Sequence, residues 1–433
     1  MSVHIRSIGT AVPPTELPQT KARDLFAAQP GINRLGARLI GAAFDGSAIE
    51  TRHTGGDALA GGTDSARGAD GLVLDASTGA RNTVYAERVP ELLLGAARAA
   101  LEGSGLETGD ITHVVTVSCT GFYAPGPDYE LVRGLGLSPR VQRFHLGFMG
   151  CYGAFPALRA ADAFARADPN AVVLIVCVEL CTIHLTSSND PEQIVATSVF
   201  ADGAAAALVT ARPAPAGTRI LTIDALASTI TDEGESEMAW TIGDSGFRMR
   251  LSGYVPSIIG ASIEDVVAPL LAPTVPAETP LWAIHPGGRS ILDKVEQALG
   301  LTEEQLAPSR GVLRDHGNMS SATVLFILER LLSGNADDSR RGISGGESSI
   351  DGQGVDGPSS GAPAVGALSV GGPGVGGPSA GDPTMGASSV GAPSAGDPSV
   401  ENPSGRDRGE ALCAMAFGPG LTVEVGRFTR MRA

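Results

Sequence analysis

At 433 residues, with 47 acidic against 31 basic side chains and a formal net charge of -16, the chain is a poor partner for nucleic acid, and no basic stripe appears. No apolar run reaches the ~18 residues of a membrane span, and the start, MSVHIRSIGTAVPP, has no apolar stretch of leader type. The 5 cysteines are odd in number and irregularly spaced, which fits free thiols in a reducing cytoplasm better than a disulfide framework.

In chain order, VPELLLGAARAALEG (89–103) predicts a helix and HVVTVSCT (113–120) a buried strand. GAFPALRAADAFARA (153–167) predicts a helix, and AVVLIVCVEL (171–180) and AAAALVTA (204–211) two more strands. RILTIDALAST (219–229) and LWAIHPGG (281–288) read as strands, and SATVLFILERLLSG (321–334) as a helix. From Gly334 to Glu410 the chain is Gly, Ser, Pro, Ala and Val with scattered acids, and PSAGDP occurs twice. Such a stretch cannot bury enough apolar surface to offset its ordering entropy, so a disordered insertion is expected. ALCAMAFGPGLTVEVGRF then gives two strands about a Gly-Pro-Gly turn. Continuous apolar strands alternating with helices predict an α/β fold with helices on both faces. The expected parts are 1–214, 215–333 with 411–433, and the insertion 334–410.

Three polar residues sit where strands meet helices. Cys151 follows an apolar run and opens a helix between Gly150 and Gly153. The positive end of the helix dipole there favours thiolate, though a small buried core residue fits as well. His285 closes a strand before Pro-Gly-Gly, at the kind of strand exit where α/β proteins place active sites; a structural histidine fits too. Asn318 precedes an apolar helix, where it can cap the helix or offer its amide to a developing oxyanion. Cys177, Cys181 and His184 share a short segment but lack a second ligand pair at zinc spacing, so no metal is expected.

GFMGCYGA, WAIHPGGRSIL, HGNMSSATVLFIL and AFGPGLTVE, with STGARNTVY, CTGFYAPGPDYELVRGLGL and SVFADGAAAALV, run in order over nearly the whole chain outside the insertion. In this set the chain resembles the type III polyketide synthases, the chalcone synthase family. The resemblance implies a thiolase fold, two similar α/β halves in αβαβα layers, working as a homodimer. It implies Cys151 as nucleophile with His285 and Asn318 as partners, acyl-CoA and malonyl-CoA as substrates, and no cofactor. It further implies Phe200 and Phe247 between tunnel and cavity, and Cys119, Thr120, Cys181 and His184 on the cavity wall. Those four depart from the small hydroxylated residues of plant chalcone synthases. Ala124 stands where the plant enzymes send a methionine into the partner's cavity. Arg34 and Arg38 are the candidates for CoA phosphates. The competing expectation is a ketoacyl-ACP synthase III-like enzyme with one condensation. A thiolase fits less well because Cys413 lies in a strand before Gly-Pro-Gly. A scaffold protein built around the insertion is a further alternative.

Overall fold

The computed structural model describes residues 2–56, Leu59, 76–334 and 409–433. The first part of the chain forms β1 (His4–Ala11), β2 (Thr15–Pro18), α1 (Gln19–Ala27), α2 (Arg34–Asp45), β3 (Thr51–Thr54) and α3 (Thr78–Leu101). Then come β4 (His113–Ser118), α4 (Pro127–Gly134), β5 (Gln142–Gly147), α5 (Ala154–Ala167), β6 (Val172–Leu180), α6 (Pro191–Val199) and β7 (Asp202–Thr210). The chain continues through β8 (Arg219–Ile230), β9 (Met238–Gly243), β10 (Gly246–Leu251), α7 (Val255–Leu271), β11 (Leu281–Ile284), α8 (Arg289–Leu299) and α9 (Glu303–His316). It closes with α10 (Thr323–Ser333), β12 (Glu410–Gly418) and β13 (Thr422–Arg432).

Most of the strands lie in one run, β11-β12-β13-β8-β1-β7-β6-β4-β5. It consists of two groups joined by a short seam, where His4 pairs with Thr222 and Ile5 with Leu221. In the first group β5, β4 and β6 are parallel, and β7 and β1 antiparallel. The second repeats the theme, with β11 and β12 parallel, then β13 and β8 antiparallel. Helices α5 and α10 touch strands of both groups and form the layer between them. Helix α3 covers the outer face of β1, β6 and β7, and α7 to α9 flank the second group. This is the layered α/β architecture expected from the alternation of apolar runs.

Side-chain size explains the close layering. In β7, Ala205 and Ala207 face the inner layer, while Ala204 and Ala206 face α3; period-two alternation puts small residues on both faces of a strand covered on both sides. Gly9 in β1 is required by contact, since a β-carbon there would lie 2.1 Å from the Ala100 nitrogen of α3.

Two boundaries differ from expectation. Helix α3 begins at Thr78, eleven residues before the apolar stretch that announces it, because Ser77 accepts a hydrogen bond from the Ala80 N–H and Val84 and Tyr85 extend the buried face. Pro90 is accommodated within it. Gly334 caps α10 in the left-handed conformation and Glu410 already belongs to β12; the rest of the expected insertion lies outside the described residues.

Candidate active site

Each of the three expected residues is placed by backbone. After β5, the chain turns through Phe148 (φ 58°) and Gly150 (φ 74°) into a tight 3-10 turn, Gly150–Tyr152, that carries Cys151 into α5. Gly150 is needed twice over. Its φ favours glycine, and a β-carbon would sit 2.5 Å from Cδ of Pro419. The Gly-Pro-Gly turn between β12 and β13 therefore closes directly on the turn that carries Cys151. His285 follows β11, its N–H donating to the Met415 carbonyl at 2.9 Å as the parallel ladder ends. Asn318 is tied by main chain to the residues around Phe200: its N–H donates to Val199 O and its O accepts from Ala201 N, both at 2.9 Å. Its side-chain Oδ1 accepts from the Ser320 N–H at 2.9 Å. Asn318 is not the cap of α10: that helix starts at Thr323, its cap position is Ala322, and it has no side-chain cap hydrogen bond.

Cys151, His285 and Asn318 line one small cavity, together with Phe200, Met238, Met249, Leu251, Gly287, Ile291 and Phe417. A second small cavity shares Cys151, Phe200, Met238 and Met249 and is walled by Cys119, Thr120, Cys181, Trp240, Ser320 and Pro419. Cys151 thus stands where two lobes meet. Cys151 is 6% exposed, and His285 and Asn318 1% each.

Among the described residues neither nitrogen of His285, both of them buried, has a hydrogen-bond partner. Leaving a buried polar group unpaired costs about 1–3 kcal/mol, so a doubly free imidazole among apolar walls is a feature to be explained by chemistry rather than packing. Burial holds its pKa down to about 3. Burial pushes the Cys151 thiol up to about 12, against the opposing hydrogen bonds of Ser320 and Asn318. The closed site therefore holds a neutral thiol beside a neutral imidazole. The helix terminus expected to favour thiolate is outweighed by desolvation, the larger effect for a fully buried group.

Below the second lobe, the buried carboxyl of Glu179 accepts from the Cys119 N–H (3.0 Å), Thr120 Oγ1 (2.8 Å) and Ser321 Oγ (2.5 Å). It fixes the wall that Cys119 and Thr120 present. Burial raises its pKa.

The structure brings Cys151, His285, Asn318, Phe200, Cys119, Thr120 and Cys181 to the two lobes. His184 and Phe247 line neither. They stack on each other behind the wall, ring centroids 4.0 Å apart and 9° from parallel. Met249, two residues beyond Phe247, reaches both lobes instead. Arg34 and Arg38 are exposed on α2 and lie outside both linings. The sequence reading missed the β9–β10 hairpin, which supplies Met238, Trp240, Met249 and Leu251. Its signal was period-two alternation in MAWTIG and GFRMRL. Cys413 is buried opposite Trp282 in the ladder. All 5 cysteines are free. Among the described residues no three His, Cys, Asp or Glu side chains are grouped to hold a metal, and no helix is long and apolar enough to cross a membrane.

The model for the N-terminal domain of chalcone and stilbene synthases matches residues 2–213, and that for their C-terminal domain residues 223–352. The chain belongs to the chalcone and stilbene synthase family. A relative described as probable polyketide synthase 1 of Dictyostelium discoideum is 34% identical over 255 residues, 57% of this chain. The chain's match covers only 8% of that much longer protein. A polyketide synthase structure from the brown alga Ectocarpus siliculosus superposes with a TM-score of 0.78 at 25% identity, covering 99% of this chain and 98% of that one. The C-terminal type III domain of Steely1, a type I/III hybrid from Dictyostelium, gives 0.76 at 24% identity with full coverage of both chains. The fungal type III enzyme ORAS gives 0.74 at 22%, covering 99% and 100%. This type III polyketide synthase family member thus shares the thiolase-like fold of algal, amoebal and fungal relatives.

Proposed function

We propose that the protein condenses malonyl-CoA onto an acyl-CoA starter held on Cys151, repeats the extension, and cyclises the product. The observation that carries the reading is the convergence of a thiol, an unpartnered imidazole and a carboxamide on one apolar cavity. His285 takes the thiol proton as the Cys151 sulfur attacks the thioester carbonyl, and returns it to the departing CoA thiolate. A free imidazole nitrogen in a neutral pair suits this transfer better than a standing ion pair. Malonyl-CoA then loses CO₂, leaving an enolate. Donors from His285 and Asn318 stabilise its oxygen, each worth about 3 kcal/mol in comparable oxyanion sites. The Asn318 amide is available, since its bond to the Gly287 carbonyl is long, 3.4 Å. The enolate carbon attacks the acyl-cysteine carbonyl and the sulfur leaves. Phe200, Met238, Met249, Leu251 and Phe417 keep out water that would quench the carbanion.

On this reading CoA thioesters are substrates and no further cofactor is needed, and five free thiols suit a reducing cytoplasm. We also propose a homodimer through β5, an edge strand whose side chains are mostly exposed, with Phe144 at 39%; an open strand edge is a template for pairing.

Intact-protein mass measurement after incubation with a panel of acyl-CoA thioesters tests the nucleophile. Cys151→Ala is expected to abolish the acyl adduct, and its persistence would refute the assignment. Turnover with malonyl-CoA but not with malonyl-carrier protein separates this activity from a single-condensation synthase.

A further inference from the structure

The β9–β10 hairpin roofs both lobes yet, among the described residues, forms a two-stranded sheet of its own, pairing with no strand of the main sheet. Hydrogen bonds to other elements, most of them through side chains, hold it instead. At its tip the Thr78 N–H donates to Asp244 O and Thr78 Oγ1 accepts from the Gly246 N–H, both at 2.8 Å. Gln193 Nε2 donates to Met249 O at 2.6 Å. Trp240 Nε1 donates to Cys119 O at 2.7 Å.

His184 makes the central tie. Its Nε2–H donates to Thr120 O at 2.6 Å, and its Nδ1 accepts from the Phe247 N–H at 3.1 Å. This pair of bonds requires the neutral Nε2–H tautomer. One nitrogen grips the cavity wall and the other the hairpin backbone. The imidazole also stacks on Phe247 and meets Trp240 edge-on at 5.8 Å and 89°. Phe247 in turn packs against Phe148, three residues before Cys151, with centroids 5.5 Å apart. A cavity-wall role is thus replaced by a bracing one, in which the roof is registered against both the wall and the nucleophile turn.

We propose that His184 is a positioning residue: by bolting the β9–β10 hairpin to the Thr120 carbonyl it fixes the roof made by Met238, Trp240 and Met249, and so the space in which the elongating chain is held. The proposal rests on the condensing activity argued above and names a determinant of its product length.

His184→Leu removes both bonds, His184→Gln retains a donor near the Nε2 position, and His184→Asn retains an acceptor near the Nδ1 position. Two readouts are needed. Amide hydrogen exchange of peptides covering 238–251, in the full-length protein without substrate, is expected to quicken at least about tenfold in His184→Leu and less in the other two. Product analysis with one starter and malonyl-CoA is expected to show the ratio of full-length to early-released product falling about tenfold or more. The rate of Cys151 acylation stays within about twofold, because the chemistry is held by other elements. If His184→Leu does not fold, the Gln and Asn variants carry the test, each expected between wild type and a loosened roof. Unchanged exchange and products in folded variants would overturn the proposal, as would acylation falling in step with product length. Should wild-type protein neither load acyl groups nor form product, the functional reading fails while the exchange result still reports on the bolt.

Discussion

The floor and the roof of the cavity are built by different means. The floor residues Cys151, His285 and Asn318 are set by main-chain hydrogen bonds, a positive-φ glycine and the ends of ladder strands. The roof residues Met238, Trp240, Met249 and Leu251 ride on a hairpin held mostly through side-chain hydrogen bonds. A backbone scaffold changes little under substitution, whereas a side-chain tie is lost with one residue. On the proposed function, the chemistry is thus set in the less mutable part, and the shape of the reaction space in the more mutable one.

Asn318→Ala tests the floor most severely after loss of the thiol. Malonyl-CoA decarboxylation is expected to fall about 10²–10³-fold, with Cys151 loading far less affected; release of CO₂ checks it, and equal losses in both steps would mean that Asn318 only supports structure. On the roof, Met249→Ala is expected to leave loading intact, to change the product spectrum, and to cost about 2–3 kcal/mol in denaturant unfolding through the void it leaves. An unaltered spectrum would remove Met249 from the roof's function.

Acid should strike both regions. His285 and His184 are each held near 3 by burial, against 6.5 when unfolded. The unfolded chain takes up protons below about pH 6.5 that the folded one refuses, so stability present above that pH is lost as pH falls toward 3. Asp202, raised to about 6 by burial, opposes this between about pH 3.8 and 6. In that window His184→Leu is expected to flatten the pH dependence of unfolding by up to about 1.4 kcal/mol per pH unit. Parallel curves for variant and wild type would contradict the buried neutral state. The smallest effect is expected on α2: Arg34→Ala with Arg38→Ala should raise KM for acyl-CoA a few-fold at low salt with kcat unchanged, and shift stability by under about 0.5 kcal/mol. An unchanged KM would free those arginines of any substrate role.

The floor was largely legible in the sequence and the roof was not. Runs such as AVVLIVCVEL and AAAALVTA announce buried strands because nothing else fits so many consecutive apolar residues. GFMGCYGA marks a turn in which Gly150 is demanded by its positive φ, and HPGG marks the exit of a strand. The hairpin carries Thr241, Arg248 and Arg250 among its apolar residues, so it looks like an exposed connection until Cys119 and Phe200 are seen beneath it. The placing of Phe247 and His184 behind the wall depends on Thr120 and Phe148, far away in the chain, which local pattern does not reveal. The protonation of Cys151 escaped for a related reason: a helix terminus is local, while desolvation is the sum of everything packed around it.

Gly334, at the end of α10, lies close against Arg219, and Gly409, just before β12, lies against Thr429 and Met431. Ile220, next to Arg219, pairs with Met431 in the β8–β13 ladder. The two points are therefore neighbours on one rim, seven residues of β12, roughly 24 Å, from Phe417 at the catalytic end. Such a rim is a natural port for grafted sequence. Closing a loop between two points so near each other costs only about 0.6 kcal/mol more for each doubling of its length, so such a rim bears very different lengths of connecting sequence at little difference in closure cost.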